Sequence, residues 1–241
     1  MEIFVISLKR SQDRRDAFDK NNSAYIPKYT YFDAIDGSTL SDSFDPAIFT
    51  RGSANYTKGA IGCALSHLKL WEKCIELDKP IIIMEDDAIV SRNFNKHVNN
   101  IVNNTLPKDW EIVQLSYNFD SVLSYYNTVY EQCNCTFGQR KMTQEDITNF
   151  VNSKINTTVA KLVHCFGTSA YMIHPKGAKI LKDKCFPLSN RIVSIPYLNQ
   201  LSCFTIDGMM NSVYKDMNAY VCIIPFVITP HISDDYQTTI R

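Results

Sequence analysis

Three consecutive carboxylates, Glu85-Asp86-Asp87, close an unbroken apolar run, Ile81-Ile82-Ile83-Met84. Adjacent carboxylates repel one another unless a cation offsets their charge. Hard divalent ions such as magnesium or manganese take oxygen ligands of this kind, often one or two carboxylates together with the phosphate oxygens of a substrate. If a strand continues through the acids, alternation sends Glu85 and Asp87 to one face and Asp86 to the other. One carboxylate can then hold metal while another meets a different group. The bland alternative is a solvated acidic turn capping the next helix. Position favours a site, because open α/β sheets bind ligands at the carboxyl ends of their strands.

A second cluster is Gly59-Ala60-Ile61-Gly62-Cys63-Ala64-Leu65-Ser66-His67. Glycines 59 and 62 permit close backbone approach, and Ser66 and His67 offer hydrogen bonds to a ligand near a helix start. A lone histidine on a helix is more often a surface or core residue, so this stretch gains weight only beside others. Near the N-terminus, Ser7-Leu8-Lys9-Arg10 and Arg14-Arg15 either pair with phosphate or decorate a wet helix. Arginine suits bidentate phosphate recognition, but charged helix faces are usually just solvated. The solvated reading is preferred for Arg14 and Arg15, and Arg10 is left open. The eight cysteines lie far apart, often within apolar segments, and read as reduced and mostly buried; Cys133-Asn134-Cys135 lacks the second pair that a tetrahedral zinc set needs.

Periodicity supplies the elements that must position these groups. A strand is predicted at Glu2 to Leu8, followed by a polar helix from Ser11 to Lys20 with Ser11 as N-cap. Tyr29 to Ile35 reads as a short strand ending at the turn pair Asp36-Gly37. From Gly59 the period becomes helical, with Ile61, Ala64, Leu65, Leu68, Trp71 and Ile75 forming one apolar stripe. Lys79-Pro80 breaks that helix, and Ile81 to Met84 has the continuous apolarity of a central strand covered on both faces. Further on, a polar helix spans about Arg92 to Asn104, Trp110 to Tyr117 is a strand, and residues 118 to 162 are loop-like with a helix from Thr143 to Lys154. Phe166 to His174 is strand-like, Pro175 to Lys182 opens a helix with proline at its first position, Asp207 to Tyr214 is helical, and Tyr220 to Ile224 is a last strand. Alternating strands and helices imply an α/β fold on a mostly parallel sheet flanked by helices.

Size and charge bound the rest. A chain of 241 residues, 45% hydrophobic and 12% aromatic, suits one ordinary globular domain, 1–241, built on its own core. The 25 basic and 25 acidic side chains cancel and form no basic block, which argues against a nucleic-acid binder held mainly by phosphates. A small anionic ligand stays compatible with that balance. The longest apolar runs, Pro80 to Met84 and Tyr220 to Ile228, fall well short of the roughly 20 residues a bilayer span needs, and no basic-then-apolar leader opens the chain. The expectation is a cytoplasmic protein, working at the cytoplasmic face of a membrane where its substrate is lipid-linked.

Taken in order, several stretches resemble glycosyltransferase family 25, which includes bacterial lipooligosaccharide galactosyltransferases and the transferase domains of collagen-modifying enzymes. The resemblance is carried by Val5-Ile6-Ser7-Leu8 through Arg15, Phe32-Asp33-Ala34-Ile35-Asp36-Gly37, and Gly59 to Trp71 with its G-x-x-G-C-A-L-S-H-x-x-x-W spacing. It continues with Ile83-Met84-Glu85-Asp86-Asp87, Trp110 to Val113 (where the family more often has aspartate after the tryptophan), Gly167 to Ile173 and Ile206-Asp207. It covers nearly the whole chain and thins out over 118–162 and 185–203.

What the resemblance implies is a GT-A type transferase with a Rossmann-like sheet, moving a hexose, galactose first and glucose next, from a UDP-sugar by inverting, metal-assisted displacement. The acceptor is a glycan or a hydroxylysine-like side chain. On that reading Asp87 binds Mn2+ or Mg2+, joined by His231 as a late ligand, and Asp207 is the general base, although residue 205 is Thr where the family has Pro. The donor is held by Ser7, Leu8, Arg10, Asp36, Gly37, Gly62, Ser66, His67, Glu85 and Asp86. The plain alternatives are an N-cap role for Asp207, before a helix beginning at Gly208, and an exposed loop position for His231. Two other functions compete: an inactive carbohydrate-binding or scaffold protein of the same fold, and a metal-dependent phosphatase. The phosphatase calls for Thr or Ser soon after the nucleophilic carboxylate, whereas Asp87 is followed by Ala88, Ile89 and Val90.

Overall fold

The computed structural model describes residues 1–26, 28–41, 45–50, 55–138, 142–196 and 200–230. The chain opens with β1 (Glu2–Ser7), α1 (Gln12–Asn22), β2 (Thr30–Asp33), a 3-10 turn at Gly37–Thr39 and α2 (Lys58–Leu77). There follow β3 (Ile81–Glu85), β4 (Ile89–Val90), α3 (Phe94–Asn104), β5 (Ile112–Gln114), β6 (Val122–Tyr126), β7 (Gln132–Thr136) and α4 (Gln144–Asn152). The remainder is β8 (Val159–Cys165), β9 (Ala170–Ile173), α5 (Pro175–Cys185), β10 (Arg191–Ser194), β11 (Gln200–Cys203), α6 (Ile206–Asn211), β12 (Ala219–Cys222) and β13 (Val227–Ile228).

Nine strands form one mixed sheet in the order β2-β1-β3-β9-β5-β12-β8-β6-β7. Parallel ladders join β1 to β2, β1 to β3 and β5 to β12, and β9, β8 and β7 run against the other six strands. The α/β class, with a mostly parallel sheet flanked by helices, is what the periodicity predicts.

The run Ile81–Met84 is the middle of this arrangement. Ile81 and Ile83 pack with Trp71 of α2 and Leu181 of α5 in one core, and Ile82 and Met84 pack with Phe18 of α1 and Phe94 of α3 in the other. All four are essentially buried, which is why the run is apolar at every position. Each such side chain contributes about 1.5–3 kcal/mol relative to its exposed state. The same alternation carries on into the acids: Glu85 turns to the α2 side and Asp86 to the α1 side.

The predicted elements are present with shifted ends. Helix α2 starts at Thr57, whose hydroxyl accepts from the Ala60 N–H at 3.1 Å, and stops at Asp78, which adopts the left-handed conformation just before Pro80. Ser11 does occupy the N-cap position of α1, without a side-chain capping bond. Two readings need correction. Residues 118–162, expected as mostly loop, contain β6, β7 and most of β8, so three strands extend the sheet. They escape notice because the faces of β6 and β7 are half-exposed and rich in Tyr, Ser, Cys and Asn, which blurs the two-residue alternation. The hairpin of β10 and β11 was likewise not foreseen.

Candidate active site

The carboxyl end of β3 opens into a cleft with two lobes. A smaller one, about 80 Å³, lies against Ser7, Leu8, Arg14, Gly37, Cys63 and Asp86. A larger one, about 310 Å³, lies against Asp87, Asn118, Gly167, Thr168, Asp207 and Thr229. Arg14, Cys63 and Glu85 border both.

Backbone engineering around the acids is dense. Just past them, the fully buried Asn22 donates to the Ala88 carbonyl at 2.8 Å and accepts from the Val90 N–H at 2.9 Å, which pins the turn to the end of α1. Strand β4 then pairs with β13, which brings Thr229 to the larger lobe, where its hydroxyl donates to Ser169 Oγ at 2.5 Å. Gly167 sits at φ +96°, a conformation that favours glycine, and a Cβ there would also force the Asn118 side chain, whose Oδ1 it would meet at 2.3 Å, to move.

Glu85 and Asp87 are treated differently by their surroundings. Burial opposes the charge of Glu85, yet the His67 ring, the Thr168 hydroxyl and the Arg14 guanidinium together hold its carboxyl below the usual range. Thr168 donates to Glu85 Oε1 at 2.5 Å, and His67 Nε2 stands 3.5 Å from the same oxygen. Asp87 is pushed up to about 7, by burial first and then by the charge of Glu85, with Asp86 adding and Arg14 opposing. Its Oδ1 is buried without a hydrogen-bond partner. Arg14, 3.5 Å from the other oxygen, offsets this charge only in part, and the donor set fits a hard divalent cation.

Arg14 corrects the sequence reading. It is not a solvated helix charge: its Nε donates to Asp86 Oδ1 at 2.8 Å, its terminal nitrogen pairs with the same oxygen, and it lies 3.5 Å from Asp87 Oδ2. Arg15 is not merely wet either, since it donates to Ser7 O at 3.1 Å and to Asp33 Oδ1 at 2.6 Å. Arg10, left open from sequence, is mostly exposed and pairs with Asp36.

The other predicted donor residues divide between lobe and scaffold. Ser7, Leu8 and Gly37 border the smaller lobe, with Ser7 Oγ accepting from Arg15 Nε at 3.3 Å. Gly62 is scaffold: a Cβ on it would meet Ile35 O at 2.5 Å and Gly37 N at 2.7 Å, so it lets α2 touch the segment after β2. Ser66, expected to face a ligand, borders the lobe but is fully buried, its hydroxyl donating to Gly62 O at 2.7 Å and accepting from Ile35 N at 2.9 Å. Asp36 borders neither lobe; it caps the 3-10 turn by accepting from Ser38 N at 3.0 Å. His67 is fully buried, with Nδ1 2.8 Å from the Tyr171 hydroxyl.

Asp207 stands in the first turn of α6, across the larger lobe from the acids. The cap reading fails in detail: Thr205 is the N-cap and the helix begins at Ile206, not Gly208. Asp207 Oδ2 accepts from Gly167 N at 3.0 Å, and Oδ1 accepts from Gly208 N at 2.8 Å and from the Thr205 hydroxyl. Three of roughly four carboxylate lone pairs are thus used, leaving one free. His231 lies outside the described residues.

Residues not anticipated from sequence are Arg14, Cys63, Asn118, Thr168 and Thr229. Their common signal is tertiary, except that Gly167-Thr168-Ser169 opens a strand-like segment with a glycine.

The description "Glycosyltransferase family 25 (LPS biosynthesis protein)" matches residues 1–191. The lipooligosaccharide biosynthesis protein lic2B of Haemophilus influenzae is 35% identical over 98 residues, 39% of this chain and 36% of that protein. Human procollagen galactosyltransferase 2 is 32% identical over 127 residues, 47% of this chain and 20% of that protein. A rat protein named "Probable inactive glycosyltransferase 25 family member 3" is 29% identical over 126 residues, 47% of this chain and 22% of that protein. The chain thus spans well under half the length of these curated relatives. Since the family match runs through the cleft-forming elements β1, α1, α2 and β3 and takes in most of the chain, this protein belongs to glycosyltransferase family 25.

Proposed function

We propose that this chain is a GT-A type, inverting, metal-dependent hexosyltransferase that moves galactose, or in second place glucose, from a UDP-sugar to a glycan or hydroxylysine-like acceptor. The observation that carries the reading is Asp87: a partly exposed carboxylate two residues past a strand end, with one oxygen buried and unpartnered and its carboxyl pushed up to about 7, at the edge of a cavity of about 310 Å³. Such a group is costly unless something positive completes it. Family membership does not decide turnover, given that one relative carries the name "Probable inactive"; the state of Asp87 is what supports catalysis here.

In this reading Asp87 holds Mn2+ or Mg2+, and His231 would be a further ligand. When bound, the ion supplies positive charge to the diphosphate leaving group. Asp86 faces the ribose side of the donor, held on Arg14 through the 2.8 Å bond from Nε. Glu85, kept ionised by Thr168 and His67, lines both lobes and faces the donor between them. Asp207 takes the proton from the acceptor hydroxyl as that oxygen attacks the anomeric carbon, using the lone pair its three hydrogen bonds leave open. Its rigid seating on Gly167 and Gly208 fixes the direction of that lone pair.

The acceptor side is supported by an apolar recess of about 370 Å³ that involves Phe119, Phe137, Met142, Phe150 and Ile228. Phe119 and Ile228 are the chain neighbours of Asn118 and Thr229 in the larger lobe. A cytoplasmic, membrane-facing location belongs to this same proposal; among the described residues no helix is long and apolar enough to cross a membrane.

The test is a donor screen. Purified protein is offered a panel of UDP-sugars with manganese or with chelator, and hydrolysis and transfer are followed. Manganese-stimulated turnover of UDP-galactose is expected. Absence of turnover or binding across the panel would favour the inactive carbohydrate-binding alternative.

A further inference from the structure

The cleft floor carries a second set of metal-type donors that the transfer reading does not use as ligands. Cys63 and His67 are four residues apart on α2 and so share one face of the helix. Glu85 reaches the same point from the end of β3. One ligand atom from each residue lies within 4.8 Å of the others.

Three details fit an ion better than a hydrogen-bonded cluster. His67 is fully buried and its Nε2 has no hydrogen-bond partner. Nε2 stands 3.5 Å from Glu85 Oε1, too long for a good hydrogen bond. Two ligands placed about 2.0–2.2 Å from one tetrahedral zinc ion would be separated by roughly 3.5 Å. The outer support is also present. The Tyr171 hydroxyl lies 2.8 Å from Nδ1 and accepts from Trp71 Nε1 at 2.9 Å, while the Thr168 hydroxyl donates to Glu85 at 2.5 Å. Partners of this kind orient ligating histidines and carboxylates.

We propose that Cys63, His67 and Glu85 form a zinc site, separate from the hard-cation position at Asp87. Sulfur, imidazole and one carboxylate suit Zn2+ and disfavour Mg2+ and Mn2+. On binding, the Cys63 thiol loses its proton to solvent, the Nε2 lone pair faces the ion, and the ring proton resides on Nδ1, donated to Tyr171. Three protein ligands leave a fourth position, and because Cys63 and Glu85 both border the cleft, that position opens onto it. The inference goes beyond the transferase reading and stands without it, because the readout is metal uptake rather than turnover.

The test uses the full chain, dialysed against Zn2+ in the presence of excess Mg2+, and in parallel loaded with Co2+ as a spectroscopic substitute. One equivalent of retained zinc is expected, with a sulfur-to-cobalt charge-transfer band. Both should disappear in Cys63→Ala, whose folding is checked by circular dichroism, and both should survive in Asp87→Asn and Cys133→Ser. Tyr171→Phe should weaken zinc binding about 10–100-fold, the usual effect of losing such a support. Three results would each overturn the site: no zinc retained by the parent chain, a cobalt–thiolate band that persists in Cys63→Ala, or zinc uptake lost in Asp87→Asn.

Discussion

Glu85 and Asp87 are two residues apart on one strand end, and the fold drives them in opposite directions. The α2 side of the cleft surrounds Glu85 with an imidazole, a hydroxyl and a guanidinium, so its charge is held despite burial. The larger lobe surrounds Asp87 with burial and a neighbouring carboxylate that outweigh the nearby Arg14, so its charge is resisted. The lesson is that the acidic triplet is not one site with three equal ligands. Protein groups support the charge of one carboxylate; the other keeps a buried oxygen without a hydrogen-bond partner.

The largest break of this contrast is Asp87→Ala. Transfer should fall by at least about a hundredfold, the scale of losing a central electrostatic stabiliser, with circular dichroism unchanged. Retained manganese-stimulated donor turnover in that variant would remove Asp87 as the metal ligand. Asp207→Asn comes next: turnover is expected to drop by about a hundredfold while UDP-sugar affinity stays near normal, as for loss of a general base. An unchanged rate would discharge Asp207 from that role.

A third experiment reads the contrast as stability. Asp87 is raised from 3.8 to about 7 in the folded chain, so between those values the native state binds more protons than the unfolded one. Metal-free stability should therefore fall as pH rises from about 4 to about 7, by on the order of 3–4 kcal/mol. Glu85 has the opposite sign: lowered in the folded chain, its contribution is present above the ordinary carboxylate range and is lost as pH falls through the folded value. Thermal melts from pH 5 to 8 should show the decline, manganese should reverse it, and Asp87→Asn should flatten it. A metal-free melting profile that rises across this window would contradict the assigned environment of Asp87. The smallest effect is expected from Thr168→Val, which keeps the shape and removes the hydroxyl that serves Glu85. It should cost about 1 kcal/mol in urea unfolding at pH 7 and less at a pH below the folded value of Glu85, where that carboxyl is neutral. Equal losses at both pH values would mean that Thr168 matters only for packing.

What could be read from the linear chain was whatever depends on short-range pattern. The run Ile81–Met84 had to be a central strand because it is apolar at every position, and the acids that follow had to sit at its carboxyl end. The stripe Ile61 to Ile75, the break at Lys79-Pro80 and the proline that opens α5 are equally local. The antiparallel extension of the sheet was not readable, because β6 and β7 have mixed, half-exposed faces whose strand identity comes from pairing with β8.

The chemical character of the site was decided only by packing. Arg14 reads as one of several wet charges until α1 is laid beside β3, where it meets Asp86 and Asp87. Ser66 looks like a ligand contact until α2 touches the segment after β2 and takes up its hydroxyl. Periodicity and composition say which residues lie on a face, because they act over a few residues. Charge balance, burial and the direction of a lone pair depend on groups brought from far along the chain, as Thr168 is to Glu85 and Arg14 is to Asp87, and those are properties of the assembled fold alone.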